Sequence, residues 1–468
     1  MGVRRVPNES LRELLSEARW TGEALARAVN TVAAEAGVTL RYRRSSVSHW
    51  LSGIRPRPPV PAFVAEALSR RLGRTVTVPE TGLVKTSPPV RAAWHATDWW
   101  DGDPVGRLLD LSERAQQGRE VLAECAYSLA ALEVPDWVRL TAELPRQRSA
   151  SRDGGRVGRG EVDAVTTMLA VFSSSDSMFG GRRGRDALMR YLGLPVASWL
   201  RADARPAVRR HLLVAVARLT YLCGFMNFDE QLHGIAQRYY STSLMLAAEG
   251  GDVAGHALAL RALSVQARTL GHYRQAVHLA EAAVRSAARR VNPQTRAFLL
   301  GQLAVAHAAA GDRYDAVINL GLAESELEQA DVLPRLVGAF HGGSLAHQRA
   351  VVAACAGDRR GAITALEAAS RQRPATERRS RAIVLARLAE LQAASGQLEL
   401  ACRTWTQFLA DCPQLYSARI DSALANLRAL TRPHQRNASV RRLHEIAATL
   451  SHRRDQAASG INLDAMAR

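Results

Sequence analysis

One spacing pattern recurs four times in the second half of the 468-residue chain. In each copy an alanine follows a glycine by five positions, and a small residue precedes that glycine by seven. The four glycines are Gly271, Gly311, Gly357 and Gly396. Glycine suits the tight turn between two helices, and small side chains let two helices cross closely. The pattern therefore predicts an array of stacked helical hairpins over residues 161–451.

The copies are unequal in length, which makes the array a degenerate one. The small residues before the glycines are Ser264, Ala304, Ala350 and Ala389, and successive copies are therefore offset by 40, 46 and 39 residues. An earlier and weaker copy is indicated by matching intervals between Gly224, Ala236, Tyr240 and Ser243. The pattern resembles the tetratricopeptide repeat, whose usual length is about 34 residues. That resemblance implies an α-solenoid, and the sequence as a whole predicts an all-α protein.

A dense basic cluster runs into a short helical pattern at residues 41–53. Val47, Trp50 and Leu51 are spaced so that one helical turn can bury all three. The residues left facing outward are Ser45, Ser46, Ser48 and His49, although His49 alone could equally be a core histidine. The flanking cations are Arg41, Arg43, Arg44, Arg55 and Arg57. We expect these nine residues to contact double-stranded DNA, the arginines at phosphates and the helix face at base edges.

Residues 21–26, 47–53 and 65–73 together resemble the phage-repressor class of helix-turn-helix domains. The resemblance implies that the helix starting near Ser45 enters the major groove. This chain departs from the class because residues 30–44 separate its second and third helices. The second helix is expected to run on to Glu35, with residues 37–44 as an extra loop or arm. Arg41, Arg43 and Arg44 then serve either as phosphate anchors or as a minor-groove arm.

The charge of the chain favours a polyanionic partner. The formal net charge is +18, and residues 1–90 hold 13 Arg and one Lys against seven acidic residues. Cationic side chains bind DNA by neutralising phosphates and releasing counterions. Aromatic residues make up only 5% of the chain, which argues against a stacking platform for single strands.

These features divide the chain into five parts. We expect a helix-turn-helix domain at 1–78, a linker at 79–93, a helical connector at 94–160 that includes an Arg/Gly/Ser-rich mobile segment, the array at 161–451 and a flexible tail at 452–468. The order of a repressor-like head and a tetratricopeptide-like body resembles a group of actinobacterial regulators. Residues 178–192 also look typical of that group, without any role that the sequence assigns to them.

The sequence thus predicts a sequence-specific DNA-binding transcriptional regulator, and we expect a homodimer from the symmetry of helix-turn-helix proteins. We expect the array to bind a peptide, small-molecule or protein effector in a groove, or to serve only as a dimerisation surface. The weak groove candidates are Arg261, Arg268, His347 and Glu390. The alternative is a repeat adaptor or scaffold whose head binds DNA only weakly.

Other function classes find little support in the sequence. The metalloprotease, phosphate-loop and nucleophile-elbow motifs are missing, so we expect no catalysis, no cofactor and no metal site. The five cysteines are scattered, as expected of free thiols. No uncharged run approaches the 18 residues of a membrane span. We therefore expect a cytoplasmic, nucleoid-associated protein without a membrane partner.

Overall fold

The computed structural model describes residues 6–84, 100, 103–116, 125–143, 156–288, 290–330 and 340–466. Within these ranges the regular elements are helical, and β-pairing is limited to an isolated bridge between Val157 and Ala204. The all-α class is confirmed. The chain forms two compact units, which are Met1–Thr167 with Arg185–Gly271, and Met168–Gly184 with His272–Arg468.

The N-terminal head is a small helical domain with its own apolar core. Its helices are α1 (Glu9–Ala18), α2 (Gly22–Glu35), α3 (Arg44–Leu51) and α4 (Val60–Leu72). Asn8 caps α1 by accepting a hydrogen bond from the Leu11 amide, and Thr21 caps α2 in the same way. Leu11, Val29 and Phe63 are fully buried in the core that these helices share.

The head continues beyond the predicted boundary at residue 78. Pro79–Thr81 form a short 3-10 helix, and the Asn8 side chain donates a hydrogen bond to the Thr81 carbonyl at 2.9 Å. Leu83 is buried in the head core. The first residues of the expected linker are therefore part of the head, and residues 85–93 of that linker lie outside the described ranges.

The insertion between the second and third helices is a pinned loop. As expected, α2 runs to Glu35 and the loop follows. The Asn30 side chain both accepts from the Tyr42 amide and donates to the Tyr42 carbonyl, each at 2.9 Å. The Tyr42 ring then packs edge-on against Trp50, with 5.1 Å between ring centroids. The insertion is thereby fastened to the two helices that it separates.

A further set of helices lies between the head and the array in the sequence. They are α5 (Pro104–Gln116), α6 (Trp137–Glu143), α7 (Arg159–Phe179), α8 (Arg182–Tyr191) and α9 (Ala197–Arg201). Of the expected mobile segment, residues 145–155 lie outside the described ranges. A π-helical turn, Leu192–Val196, joins α8 to α9 at Pro195.

The array consists of long helices, several of which are joined by tight turns at a glycine. The first unit holds α10 (Pro206–Asp229), α11 (His233–Gly250) and α12 (Val253–Thr269). The second unit holds α13 (Tyr273–Ala287), α14 (Pro293–Ala310), α15 (Arg313–Glu328), α16 (Gly342–Cys355), α17 (Arg359–Gln372), α18 (Arg378–Ala394), α19 (Leu398–Asp411), α20 (Ala418–Thr431) and α21 (Ala438–Met466). The expected tail at 452–468 is helical as far as Met466, since no proline interrupts that stretch.

The repeat pattern corresponds to hairpin turns, as predicted. Gly271, Gly311, Gly357 and Gly396 all have left-handed backbones, with φ between 78° and 93°. In the weaker first copy the same place is taken by Gln231, whose φ is 58°. The alanines five positions after the glycines, together with the small residues seven positions before them, are buried. Close helix crossings therefore explain the residue types of the repeat.

Residues 178–192 have a structural role that the sequence did not reveal. Gly180 has a φ of 86°, and a Cβ there would overlap the Tyr416 carbonyl oxygen. The Arg183 guanidinium stacks on the Tyr416 ring at 3.9 Å, and Arg182 forms an ion pair with Asp421 at 2.6 Å. The first part of this stretch is thus docked against the start of α20 within the second unit.

One helix is long and apolar enough to be compared with a membrane span. In α10 an 18-residue window has a mean hydropathy of 1.3, but 72% of that window is buried inside the protein. Burial of this extent is typical of a core helix.

Candidate functional site

The outer face of α3 carries the polar residues that the sequence singled out. Ser45, Ser48 and His49 are exposed, while Val47 and Trp50 are buried in the head core. Ser46 is half-buried, and its hydroxyl accepts a hydrogen bond from the Arg43 amide at 3.4 Å. The helix thus presents a short polar surface over an apolar base.

The arginines around α3 form a basic surface. All five are exposed, and none of them pairs with a carboxylate in the part of the chain that the structure describes: Arg41, Arg43, Arg44, Arg55 and Arg57. A group of unpaired cations around a polar helix face is the electrostatic footprint expected of a phosphate-binding surface.

Both ends of α3 are fixed by contacts within the head. The helix begins at Arg44, one residue before the expected start, because the Glu23 carboxylate accepts a hydrogen bond from the Arg44 amide at 3.0 Å. The chain after α3 turns at Gly53, whose φ is 93°. A Cβ at Gly53 would overlap the Val6 carbonyl oxygen, so only glycine fits. The sequence predicted the glycine turn but missed Glu23.

Residues 125–132, here called the linking segment, lie between the head and helix α11. On the head side, the Arg70 guanidinium donates to the Tyr127 carbonyl at 2.7 Å and the Glu66 carboxylate accepts from the Leu129 amide at 3.1 Å. On the other side, Gln237 of α11 accepts from the Ser128 amide at 2.9 Å and donates to the Ser128 carbonyl at 2.7 Å. The backbone of three consecutive residues is therefore bonded to the head at Tyr127, to the array at Ser128 and to the head again at Leu129.

A buried charge network underlies the contact on the head side. Arg70 pairs with Glu35 at 2.6 Å and with Glu66 at 2.8 Å, and both carboxylates are buried. Burial raises the pKa of Glu66, although the charge of Arg70 opposes that shift. Burial by itself would lower the pKa of Arg70, but the two carboxylates raise it overall. The Arg70 guanidinium therefore forms ion pairs with two carboxylates that are both buried from water.

Helix α11 is shaped to accept the linking segment. A Cβ at Gly234 would overlap the Cys125 carbonyl oxygen, so the segment approaches the helix backbone more closely than any side chain would permit. One turn later the buried Arg238 donates to the Gly234 and Ala126 carbonyls, at 3.1 and 3.4 Å. Burial lowers the pKa of Arg238. No pattern in the sequence indicates this contact.

The contact with the array extends beyond the linking segment. In α6 the Trp137 ring packs edge-on against His256 of α12, with 5.0 Å between ring centroids. Burial lowers the pKa of His256 to about 4. The imidazole is therefore neutral near pH 7 and serves as a packing partner.

The four weak groove candidates lie on first helices of hairpins, as the repeat pattern predicted, and all four are half-buried. Arg261 and Arg268 belong to α12 in the first unit, and burial lowers the pKa of Arg261 to about 10. His347 belongs to α16 in the second unit. Glu390 in α18 pairs with Arg387 at 3.0 Å. A ligand-binding role for them stays a prediction.

Two other groups of reactive side chains have structural explanations. Ligand atoms of His307, Asp312 and Asp315 lie within 4.8 Å of one another. Asp312 caps α15 by accepting from the Asp315 amide, and the positive end of a helix is a poor place for a cation. The cysteines are free, and Cys355 is exposed while the other four are buried.

Comparison with known proteins gives a match to the head. Residues 11–84 match the family described as the SP15 N-terminal domain, a span that runs from the first helix to the buried Leu83. No curated protein matches the chain.

Two solved structures are similar to part of the chain. A putative kinesin light chain from Podosopora anserina with nearly identical TPR-like repeats is 19% identical, with a TM-score of 0.31, and the match covers 42% of this chain and 95% of that one. A second structure, of a variant of the same kinesin light chain, is 18% identical with the same TM-score, and the match covers 42% and 96%. The tetratricopeptide-like character of this chain rests on its own hairpins and turns.

Proposed function

We propose that this protein is a helical-repeat adaptor whose array binds a segment of a partner protein and whose head responds to that binding. Repeat arrays of this kind bury one face of each hairpin and offer the other as an extended interaction surface. The observation that carries the proposal is the linking segment. It is hydrogen-bonded to the head through Arg70 and Glu66 and to α11 through Gln237. A shift of α11 would therefore displace the linking segment and change its hydrogen bonds to the head.

The adaptor function is tested by selecting peptides from a displayed library with the full-length protein. Selected peptides are then titrated against the wild type and against an Arg261→Ala/Arg268→Ala variant. We expect at least tenfold weaker binding by the variant. The matched control is Arg359→Ala/Arg360→Ala, which removes two exposed arginines from α17. Absence of selected peptides, or equal binding by the wild type and both variants, would refute an array that binds peptides at α12.

A separate measurement tests whether peptide binding to the array changes the contact between the linking segment and the head. Hydrogen exchange is measured at the Ser128 and Leu129 amides with and without a selected peptide, since these amides are bonded to Gln237 and Glu66. We expect their exchange rates to change when the array is occupied. Unchanged rates at saturating peptide would leave the array as a binding surface and refute its connection to the head.

A second function is favoured by the exposed arginines around α3. We propose that the head binds double-stranded DNA, with α3 in the major groove in the manner of the phage-repressor class, and that the adaptor acts as a transcriptional regulator. Five exposed arginines without carboxylate partners in the described part of the chain surround a polar helix face, and the whole chain has a formal net charge of +18. Removal of counterions from DNA makes such binding steeply salt-dependent.

The DNA proposal is tested by selecting genomic fragments with the full-length protein and titrating the best one over a salt series. We expect Arg43→Ala/Arg44→Ala to weaken binding and to reduce the slope of log K against log salt by about 1.8, at about 0.9 for each phosphate contact. The control Arg359→Ala/Arg360→Ala removes the same charge from α17 and should leave the slope unchanged. Equal slopes for both variants would mean that binding follows net charge and not the α3 surface.

A further inference from the structure

The outer face of α15 exposes an apolar stripe. Tyr314, Ile318 and Leu322 follow one another at four-residue intervals with exposures of 76%, 41% and 50%, and Val317 beside them is 64% exposed. The opposite face of α15 is buried through Ala316 and Ala323. A helix with apolar residues on both faces is typical of one that packs on two sides. The residues that the structure describes supply a partner on one side only.

Gly321 lies in the middle of this stripe without any local reason for a glycine. It is exposed, its backbone is helical, and a Cβ there would meet no atom within 4 Å. Glycine is less favourable than alanine inside a helix, so an exposed helical glycine weakens α15 with no gain from any contact among the described residues. A second helix crossing at this position would supply the reason, since a missing side chain lets two helix backbones approach closely.

The ends of α15 carry opposite charges that are exposed. Arg313 precedes Gly321 by eight residues, and Glu328 follows it by seven. Neither side chain forms an ion pair with any residue within the described ranges. At 1.5 Å per residue the two charges stand about 12 Å and about 10 Å from the crossing point. Two antiparallel copies of α15 crossing at Gly321 would therefore place Arg313 of each beside Glu328 of the other.

We propose that α15 is the contact surface between two copies of this chain. The two helices run antiparallel about a two-fold axis at Gly321, with Ile318 of one copy packed against Leu322 of the other. Such an isologous contact repeats every interaction twice, which is why one arginine and one glutamate are sufficient. The stripe offers on the order of 400 Å² of apolar surface per copy, so the interface is smaller than those of stable complexes. We therefore expect a weak, concentration-dependent dimer.

The test is sedimentation velocity of the full-length protein over a concentration series. We expect the wild type to dimerise at micromolar concentrations and Leu322→Glu to remain monomeric. Arg313→Glu and Glu328→Arg should each weaken the homodimer at least tenfold, because each brings like charges together twice. A matched control, Arg359→Glu, reverses another exposed arginine, on α17, and should leave the dimer unchanged.

Mixing the two charge-reversal variants tests whether Arg313 of one copy contacts Glu328 of the other. An Arg313→Glu chain beside a Glu328→Arg chain has opposite charges at both contacts, so the mixture should dimerise as strongly as the wild type. Failure of the mixture to recover, with both variants folded, would refute an antiparallel α15 pair. A wild type that stays monomeric up to about 100 μM would refute self-association, and the stripe would then belong to a different protein.

Discussion

Replacing Arg70 by methionine should break the contact between the head and the linking segment. The substitution keeps an unbranched apolar stem but removes the guanidinium that pairs with Glu35 and Glu66. The side chains of these carboxylates are only 8% and 10% exposed. Removing one partner of a buried ion pair costs about 3–5 kcal/mol, because the remaining charge stays in a poorly hydrated place. At about 1.4 kcal/mol per factor of ten, the segment should open roughly 10² to 4 × 10³ times more often.

The loss should also depend on pH. In the wild type the pKa of Glu66 is raised above its ordinary 4.5, so the folded protein binds the proton more tightly than the unfolded chain does. The stability contribution of such a carboxyl falls as the pH rises from 4.5 through the raised value. Without Arg70 the pKa rises further. The variant should therefore be more strongly destabilised at pH 8 than at pH 5, where the carboxyls can protonate.

Hydrogen exchange at the Ser128 and Leu129 amides measures this opening directly. Arg74→Met is the control, because Arg74 also pairs with two carboxylates but is itself 44% exposed. We expect the control to leave the exchange rates unchanged. Equal exchange in Arg70→Met and in the control, or a loss that does not vary between pH 5 and pH 8, would refute the importance of the buried network.

Two further predictions concern single contacts. Gln237→Leu leaves the buried Ser128 amide and carbonyl without Gln237 as a partner, which at about 1–3 kcal/mol for each group should cost about 2–6 kcal/mol. The loss should be visible as faster exchange at the Ser128 amide, and unchanged exchange would argue against the contact. Gly180→Ala places a methyl group against the Tyr416 carbonyl and should lower the melting temperature. Gly357→Ala has the same left-handed strain but open space around it, so it should lower the melting temperature by less, and an equal effect of both would contradict the close approach at Gly180.

The turns of the array could be predicted because their chemistry is local. Gly311 and Gly396 stand where a left-handed backbone is needed, and the alanines around them repeat at fixed distances. The first copy was weak in the sequence because its turn uses Gln231, a residue type that does not mark such turns. The polar face of α3 was also predictable, since burial of Val47 and Trp50 determines which residues face outward.

The linking segment could not be predicted, because its partners are far away in the chain. Ser128 and its partner Gln237 are 109 residues apart, and Arg70 is 57 residues from Tyr127. One signal was available: Glu66 and Arg70 stand at the four-residue spacing of a helical ion pair, and Glu66 interrupts the apolar run of α4. Charged residues on the buried face of a helix indicate a specific partner, but not which one.

The end of the head was misjudged for a related reason. Pro79 and Gly82 are typical of a linker, yet here the proline starts a 3-10 turn and the glycine has a φ of 64°. The turn directs Leu83 back into the head core. Turn residues report a change of chain direction, and the sequence alone does not tell whether the chain then leaves the domain or returns to it.

The position of the linking segment limits how this protein can be dissected or recombined. A gene fragment that stops before residue 125 encodes a head in which Glu66 and Arg70 face water in place of the Tyr127 and Leu129 backbone. Transplanting the head onto a foreign array would require residues 125–132 to be carried with it. The recipient helix would also need a glutamine and a glycine spaced like Gln237 and Gly234. The head, residues 125–132 and helix α11 must therefore be kept together in any recombined protein, although they are far apart in the sequence.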